Sequence, residues 1–257
     1  MKIVKISSSQ KGFTVPELIV VMTLTLLFTT MIFSFAFDYW GSTASLQSSN
    51  DTLVSRQNLG DTLRNRLNVA SSLLNQNSIV DIYSPDTATG QWPIIHAVPS
   101  EIMMPAPGQI APVMYYEAPV LDYTKNFVMR GAAPHQNEFI LYLDGSKKQL
   151  MLRVLANDVA GNAMKTTCPA NHADDSCQAD RILAEDVISV STKYFSKSGN
   201  VLNHNDVIDP ETGDSIGPDF PDVEVVELTI NLKKRAVIHG TADSTSQTTV
   251  RVALRNG

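Results

Sequence analysis

The chain has 257 residues, a formal net charge of −6, 43% hydrophobic residues and 18% charged ones. That length holds one medium domain beyond any anchor, or two small ones, and an ordinary globular composition supplies a real core. The acidic balance argues against broad phosphate-backbone binding, and so against direct DNA binding, while leaving room for a local basic patch.

Residues Met1 to Gly12 are short, basic through Lys2, Lys5 and Lys11, and rich in serine. They hold no apolar h-region and no A-x-A site, so an ordinary secretory signal peptide is excluded. The lysines predict a cytoplasmic start with the bulk of the chain outside.

Lys11-Gly12-Phe13-Thr14-Val15-Pro16-Glu17-Leu18 comes next, and Leu18 to Phe37 contain no charged residue. As a helix this run can cross a hydrocarbon core of roughly 30 Å. Glu17 stands at its mouth, where an unpaired carboxylate is costly and asks for a partner. Pro16 falls in the first turn, where its missing N–H removes no helical bond. The threonines and Ser34 can bond back to the preceding turn. Tyr39 and Trp40 close the run with aromatics suited to a membrane–water boundary. On these residues alone the stretch is a signal anchor or something more specific.

Gly12-Phe13-Thr14 followed by Glu17-Leu18 and an apolar helix resembles the N-terminal signature of type IV pilins and pseudopilins. The resemblance implies prepilin peptidase cleavage between Gly12 and Phe13 and N-methylation of Phe13. It makes Glu17 the family glutamate, retained to pair with a neighbouring subunit's N-terminal amine during assembly. A chain starting at Phe13 loses three lysines and carries −9. The family's Leu-rich opening is replaced here by Val15-Pro16.

The spacing predicts that the helix continues, with Leu46, Leu53, Leu59, Leu63, Leu67, Ala70 and Leu74 forming an amphipathic stripe from Ser45 to Asn75. Gly60 is a weak point in it. Ile79–Tyr83 is a short strand candidate. Residues 84–119 carry seven prolines and are expected to form an extended loop region with short strands such as Ile94–Val98 and Val113–Tyr116. Met103, Met104 and Met114 lie there as adaptable apolar residues, packed or facing a partner. A hairpin follows: Glu138–Leu143, a turn at Asp144-Gly145, and Gln149–Leu155 with one buried face.

Cys168 and Cys177 are the two cysteines. Outside the cytoplasm they are expected to form a disulfide; a metal reading would add His172 and Asp174 or Asp175. Ile188, Val190, Thr192 and Tyr194 alternate along the next strand. Asn203 to Asp222 is an acidic loop in which Asp206, Asp209 and Asp214 are weak calcium candidates without EF-hand spacing; no other cofactor is expected. Val223–Lys233 is a strand with Val226, Leu228, Ile230 and Leu232 inward, and Thr248–Arg255 another.

The second half, from Leu183-Ala184-Glu185-Asp186-Val187 to the closing Thr249-Val250-Arg251-Val252-Ala253-Leu254, is similar to minor pilins and pseudopilins of the PilW and GspJ type. The resemblance implies an α+β pilin fold, with a long N-terminal helix packed on an antiparallel β-sheet head with long loops. The expected organisation is 1–12 leader, 13–40 membrane or filament-core helix, 41–77 its amphipathic continuation and 78–257 head.

The resemblance implies a minor pilin that primes, caps or decorates a filament. Its partners would be other pilins through the N-terminal helix, the prepilin peptidase, the assembly platform, and the cytoplasmic membrane before assembly. Alternatives are a type II secretion or DNA-uptake pseudopilin, or a signal-anchored surface protein with a β-rich ectodomain. A DNA-uptake role would need a basic face, for which Lys147-Lys148 with Arg153, or Lys233-Lys234-Arg235, are the candidate clusters. No catalytic constellation is present: His96, His135, His172, His204 and His239 lack metal spacing, and G-x-S-x-G, P-loop and H-E-x-x-H patterns are absent.

Overall fold

The computed structural model describes residues 14–175, 177–203, 223–234 and 244–254. The leader, the Gly12–Phe13 junction, Asp206, Asp209 and Asp214, His204, His239 and Arg235 lie outside the described residues.

Helix α1 spans Val15–Leu67. Its first part, to Asp51, and the head from Thr52 onward are separate compact units. In the first unit, residues 15–44 form a span long and apolar enough to cross a membrane, with none of it buried. The β-branched residues there are poor helix formers in water. In lipid, a lone segment must pair its backbone groups within itself, and the helix is the structure that does so. The threonine hydroxyls are absorbed as expected, Thr25 Oγ1 donating to the Val21 carbonyl at 2.7 Å and Thr29 Oγ1 to the Thr25 carbonyl at 2.7 Å.

In the head, α1 buries Leu59, Leu63 and Leu67, whereas Leu46 in the first unit and Leu53 in the head are exposed. The helix ends at Leu67, earlier than the apolar period predicts. Its last bonds tighten, Val69 N–H to the Arg66 carbonyl and Ala70 N–H to the Leu67 carbonyl, and Ser71 N–H then pairs with Glu117 in a strand. Leu74, predicted on the helix, therefore lies in β1.

The strands are β1 (Ser72–Leu74), β2 (Ser100–Met103), β3 (Ile110–Pro119), β4 (Met129–Arg130), β5 (Ala133–Pro134), β6 (Gln136–Asp144), β7 (Gln149–Leu155), β8 (Thr167–Cys168), β9 (Gln178–Ala179), β10 (Arg181–Ala184), β11 (Val187–Ser196), β12 (Val223–Lys234) and β13 (Ser244–Ala253). The head holds two main antiparallel sheets rather than one. They run β1-β3-β6-β7-β10 and β13-β12-β11-β2. The layout is α+β, an apolar N-terminal helix followed by an antiparallel-sheet domain.

One core joins α1 to both sheets, taking Leu59, Leu63 and Leu67 from the helix, Leu141 and Leu152 from the first sheet, and Val226, Leu228, Ile230 and Val250 from the second. Gly60 lies against Thr248 and Val250, with ordinary contact distances of 3.9 and 3.8 Å awaiting an added Cβ.

The β6–β7 hairpin forms as expected, Leu141 opposite Leu152, but both of its faces are buried rather than one. Its turn needs Gly145, because a Cβ there would meet the Ala106 and Pro105 carbonyl oxygens at 2.3 and 2.4 Å. Two strand expectations are corrected. Residues 79–83 and 94–98 form turns and irregular chain, not strands. Their polar groups are instead satisfied by side chains: Asn77 accepts from Trp92 N–H at 2.7 Å and donates to the Ile79 carbonyl at 2.7 Å. The proline-rich stretch is more regular than expected, since β3 runs ten residues. It accommodates Pro112 through a register shift between Pro112 and Met114, and Pro119 at its end. Met114 is buried in the core, while Met103 is exposed.

Candidate functional site

At the start of α1, Thr14 and Glu17 form a capping arrangement. Thr14 N–H and Oγ1 donate to Glu17 Oε2 at 2.9 and 2.8 Å. Leu18 N–H bonds the Thr14 carbonyl at 3.1 Å. The spacing T-x-x-E places a carboxylate on a terminal N–H that has no helical partner, at the positive end of the helix dipole. Pro16 lies inside this first turn. In the isolated chain Glu17 thus has a local partner. The apolar side chains behind it have none: Leu26, Phe28, Ile32 and Phe35 are all more than 60% exposed. Lipid or other protein must cover them.

Cys168 and Cys177 are joined in a disulfide across nine residues of chain. The bond takes both sulfurs out of any metal ligand set. Among the described residues no group of three or more His, Cys, Asp or Glu side chains is arranged to hold a metal ion. Around the disulfide, β8 pairs with β9, and Asp180 N–H bonds the Cys168 carbonyl at 2.8 Å.

The disulfide loop delivers Asp180 to a buried polar centre. Arg153, expected on an open face of β7 and as part of a basic cluster with Lys147 and Lys148, is 1% exposed. Its Nε donates to both Asp180 oxygens at 3.2 and 3.1 Å, and Nη2 to Oδ2 at 2.6 Å. Nη1 reaches Asp81 Oδ2 at 2.8 Å and the Tyr83 carbonyl at 3.1 Å. Neutral donors complete both carboxylates. Trp92 Nε1 bonds Asp81 at 2.8 Å, Tyr142 Oη bonds Asp180 at 2.7 Å, and Thr167 Oγ1 bonds Asp180 at 2.6 Å. The guanidinium also lies 5.5 Å from the Trp92 ring centre and 5.6 Å from that of Tyr142.

Burial alone would lower the Arg153 pKa, but the bonds and charge of Asp180, then those of Asp81, outweigh it and hold the group above its usual range. The Tyr142 phenol is pushed up, first by burial and then by Asp180. One cation facing two carboxylates in low dielectric is tolerable only because nearly every lone pair and proton is matched. Arg153, Asp81 and Asp180 are each at most 5% exposed. The centre therefore fastens the 75–98 segment and the disulfide loop onto β6 and β7.

A third buried carboxylate lies on the same strand as Tyr142. Glu138, 2% exposed, accepts from the N–H groups of Ser78 and Ile79 at 3.0 and 3.1 Å and from the Ser78 hydroxyl. Sequence reasoning missed Asp81, Trp92, Glu138 and Asp180. The available signal was the run Phe139-Ile140-Leu141-Tyr142-Leu143. It is apolar at every position rather than every second one, as a strand covered on both faces should be.

Comparison with family models, with characterised proteins and with solved structures gives no match for this chain.

Proposed function

We propose that the chain is a minor type IV pilin, a subunit that primes, caps or decorates a filament after prepilin peptidase cleavage and N-methylation. One observation carries the reading: the sequence Gly12-Phe13-Thr14-Val15-Pro16-Glu17 opens directly onto a membrane-length helix whose apolar side chains are bare in the single chain. Before assembly that surface would lie in the cytoplasmic membrane, with the head outside. In a filament it would be covered by the helices of other subunits.

Glu17 has a particular part in this reading. In the single chain its carboxylate takes the Thr14 N–H and hydroxyl. In a filament a neighbour's free N-terminal amine would offer a full positive charge in an apolar setting, a stronger partner than two neutral donors. The carboxylate would then select subunits stacked in register.

The N-terminal mass of protein from its own cells tests the proposal. A chain that starts at Phe13 with one added methyl group is expected. A chain retaining residues 1–12 would leave the signal-anchored surface protein as the reading. Glu17→Ala should enter filament fractions less efficiently than the parent; equal incorporation would remove the registration role. Among pilin-like alternatives, a DNA-uptake pseudopilin is the least supported, because Arg153 is withdrawn from the Lys147-Lys148 cluster into the interior.

A further inference from the structure

The head carries a concave groove of about 670 Å³ beside the end of α1. Its floor includes Tyr116 and Phe139, stacked with ring centres 4.9 Å apart and planes within 8°. Its mouth holds Phe127 and Met164, 60% and 41% exposed. Exposed aromatic and thioether side chains beside a cavity are costly in water unless something uses them. The volume falls in the range of roughly 300–1,000 Å³ typical of small-ligand sites.

The charge of the groove reverses that of the molecule. The chain has 26 acidic residues against 20 lysines and arginines. The groove is lined by Arg66 and Lys125 and by no carboxylate. Among the described residues neither cation has an ion-pair partner. Arg66 lines the groove together with Tyr116, and its positive charge opposes the rise that burial imposes on the Tyr116 phenol.

Lys125 is held by a built turn. Asp122 Oδ1 accepts from Thr124 N–H at 2.8 Å and Asn126 N–H at 2.9 Å, while Lys125 N–H bonds the Asp122 carbonyl at 3.0 Å. Leu121 and Phe127 bridge the two arms of that turn. Lys125 itself adopts φ +67°, a left-handed conformation uncommon for lysine that closes the turn. The backbone that carries the Lys125 cation is thereby set beside an apolar groove before any ligand arrives.

We infer that this groove binds an anionic amphiphile, an acyl chain lying against Tyr116, Phe139, Phe127 and Met164 with its carboxylate or phosphate held between Arg66 and Lys125. The occupant is a free fatty acid or the chain and headgroup of an anionic phospholipid; both share this chemistry. Two cations and a small apolar volume suit such a molecule better than a folded partner, whose stable interface takes roughly 800 Å² from each side. The assignment is independent of any filament role.

The test uses the full-length chain in nanodiscs of zwitterionic lipid and a photoreactive dodecanoate, with labelled peptides mapped by mass spectrometry. Labelling is expected on peptides carrying Phe127 or Met164, displaced by dodecanoate and not by dodecanol. Lys125→Gln and, separately, Met164→Glu should each weaken it about tenfold with Tm unchanged, the loss of one charge-assisted contact or of apolar fit. Arg66→Lys should retain most of the labelling. Nanodiscs doped with phosphatidylglycerol distinguish the two sources: suppressed groove labelling assigns the phospholipid, unchanged labelling the free acid. Equal displacement by dodecanol, labelling confined to residues 15–44, or displacement by an acidic peptide but not by dodecanoate would each overturn the inference.

Discussion

The β6–β7 hairpin has two buried faces that are stabilised in different ways. The face carrying Leu141, Leu143, Leu150 and Leu152 meets α1 and the second sheet through apolar contact. The opposite face carries Ile140, Tyr142, Met151 and Leu155 against Trp92, with Arg153 and its carboxylates among them. Regular elements cover the first face and an irregular segment covers the second. The difference follows from what each cover can offer. A helix satisfies its own backbone and needs only volume from its neighbour. A segment without ladders must place its backbone polar groups on side chains, and it does so through Asn77, Asp81 and Glu138. The first face should tolerate changes of shape, and the second should tolerate no loss of a partner.

The largest expected effect breaks the second face. Arg153→Ala leaves Asp81 and Asp180 buried with no counter-charge and should cost about 3–5 kcal/mol in denaturant unfolding. Leu152→Met, one residue away on the apolar face, should cost less than about 1.5 kcal/mol. Near-equal losses would mean that the two faces do not differ in kind. Next is the disulfide. Replacing Cys168 and Cys177 together by alanine should cost roughly 2–3 kcal/mol by the chain-entropy account. If Asp180 depends on that loop for its position, the same change should weaken the Arg153→Ala effect, a coupling that a double-mutant cycle reads directly.

Alkaline titration sharpens the comparison further. Burial pushes the Tyr194 phenol up to about 12 and raises Tyr115, Tyr116 and Tyr142 as well. A phenol whose folded pKa lies above its unfolded value near 10 keeps the fold's proton. Its stabilising contribution is complete below pH 10 and is lost as the pH rises through the folded pKa. Stability should therefore fall between pH 10 and 12, by about 1.4 kcal/mol per pH unit for each such phenol. Tyr194→Phe should remove one phenol's share of that slope; an unchanged slope would show that Tyr194 ionises freely. The smallest effect lies on the apolar side and has the opposite sign. Gly60→Ala fits at ordinary contact distance beside Val250. It should stabilise the head by roughly 0.5–1 kcal/mol, the usual gain from removing a glycine within a helix.

Much of this architecture was legible in the sequence, and the illegible part has a physical pattern. Helix α1, the hairpin, the inward Val226, Leu228, Ile230 and Leu232, and the Cys168–Cys177 disulfide all rest on local period or on a pair of residues nine apart. Arg153 was not legible because alternation assigns a side chain to a face without saying whether that face is covered. Its cover comes from Asp81, 72 residues earlier, and Asp180, 27 later. Residues 79–83 and 94–98 read as strands in the sequence for a related reason: short apolar runs such as Ile94-Ile95 read the same whether they pair in a ladder or pack beneath one. The early end of α1 is hidden because Ala70 and Leu74 continue the apolar period beyond Leu67, although Leu74 belongs to a strand.

The core has one further consequence, in time rather than in space. Leu59, Leu63 and Leu67 pack with Val250, Val252 and Leu254, so the first part of the head to be synthesised waits on the last. While the chain emerges from a ribosome or an export channel, the side of α1 that meets β13 stays bare until that strand arrives. A nascent chain halted before residue 244 would present that bare side to proteases and chaperones. The arrival of β13 is then the step that closes the core over α1.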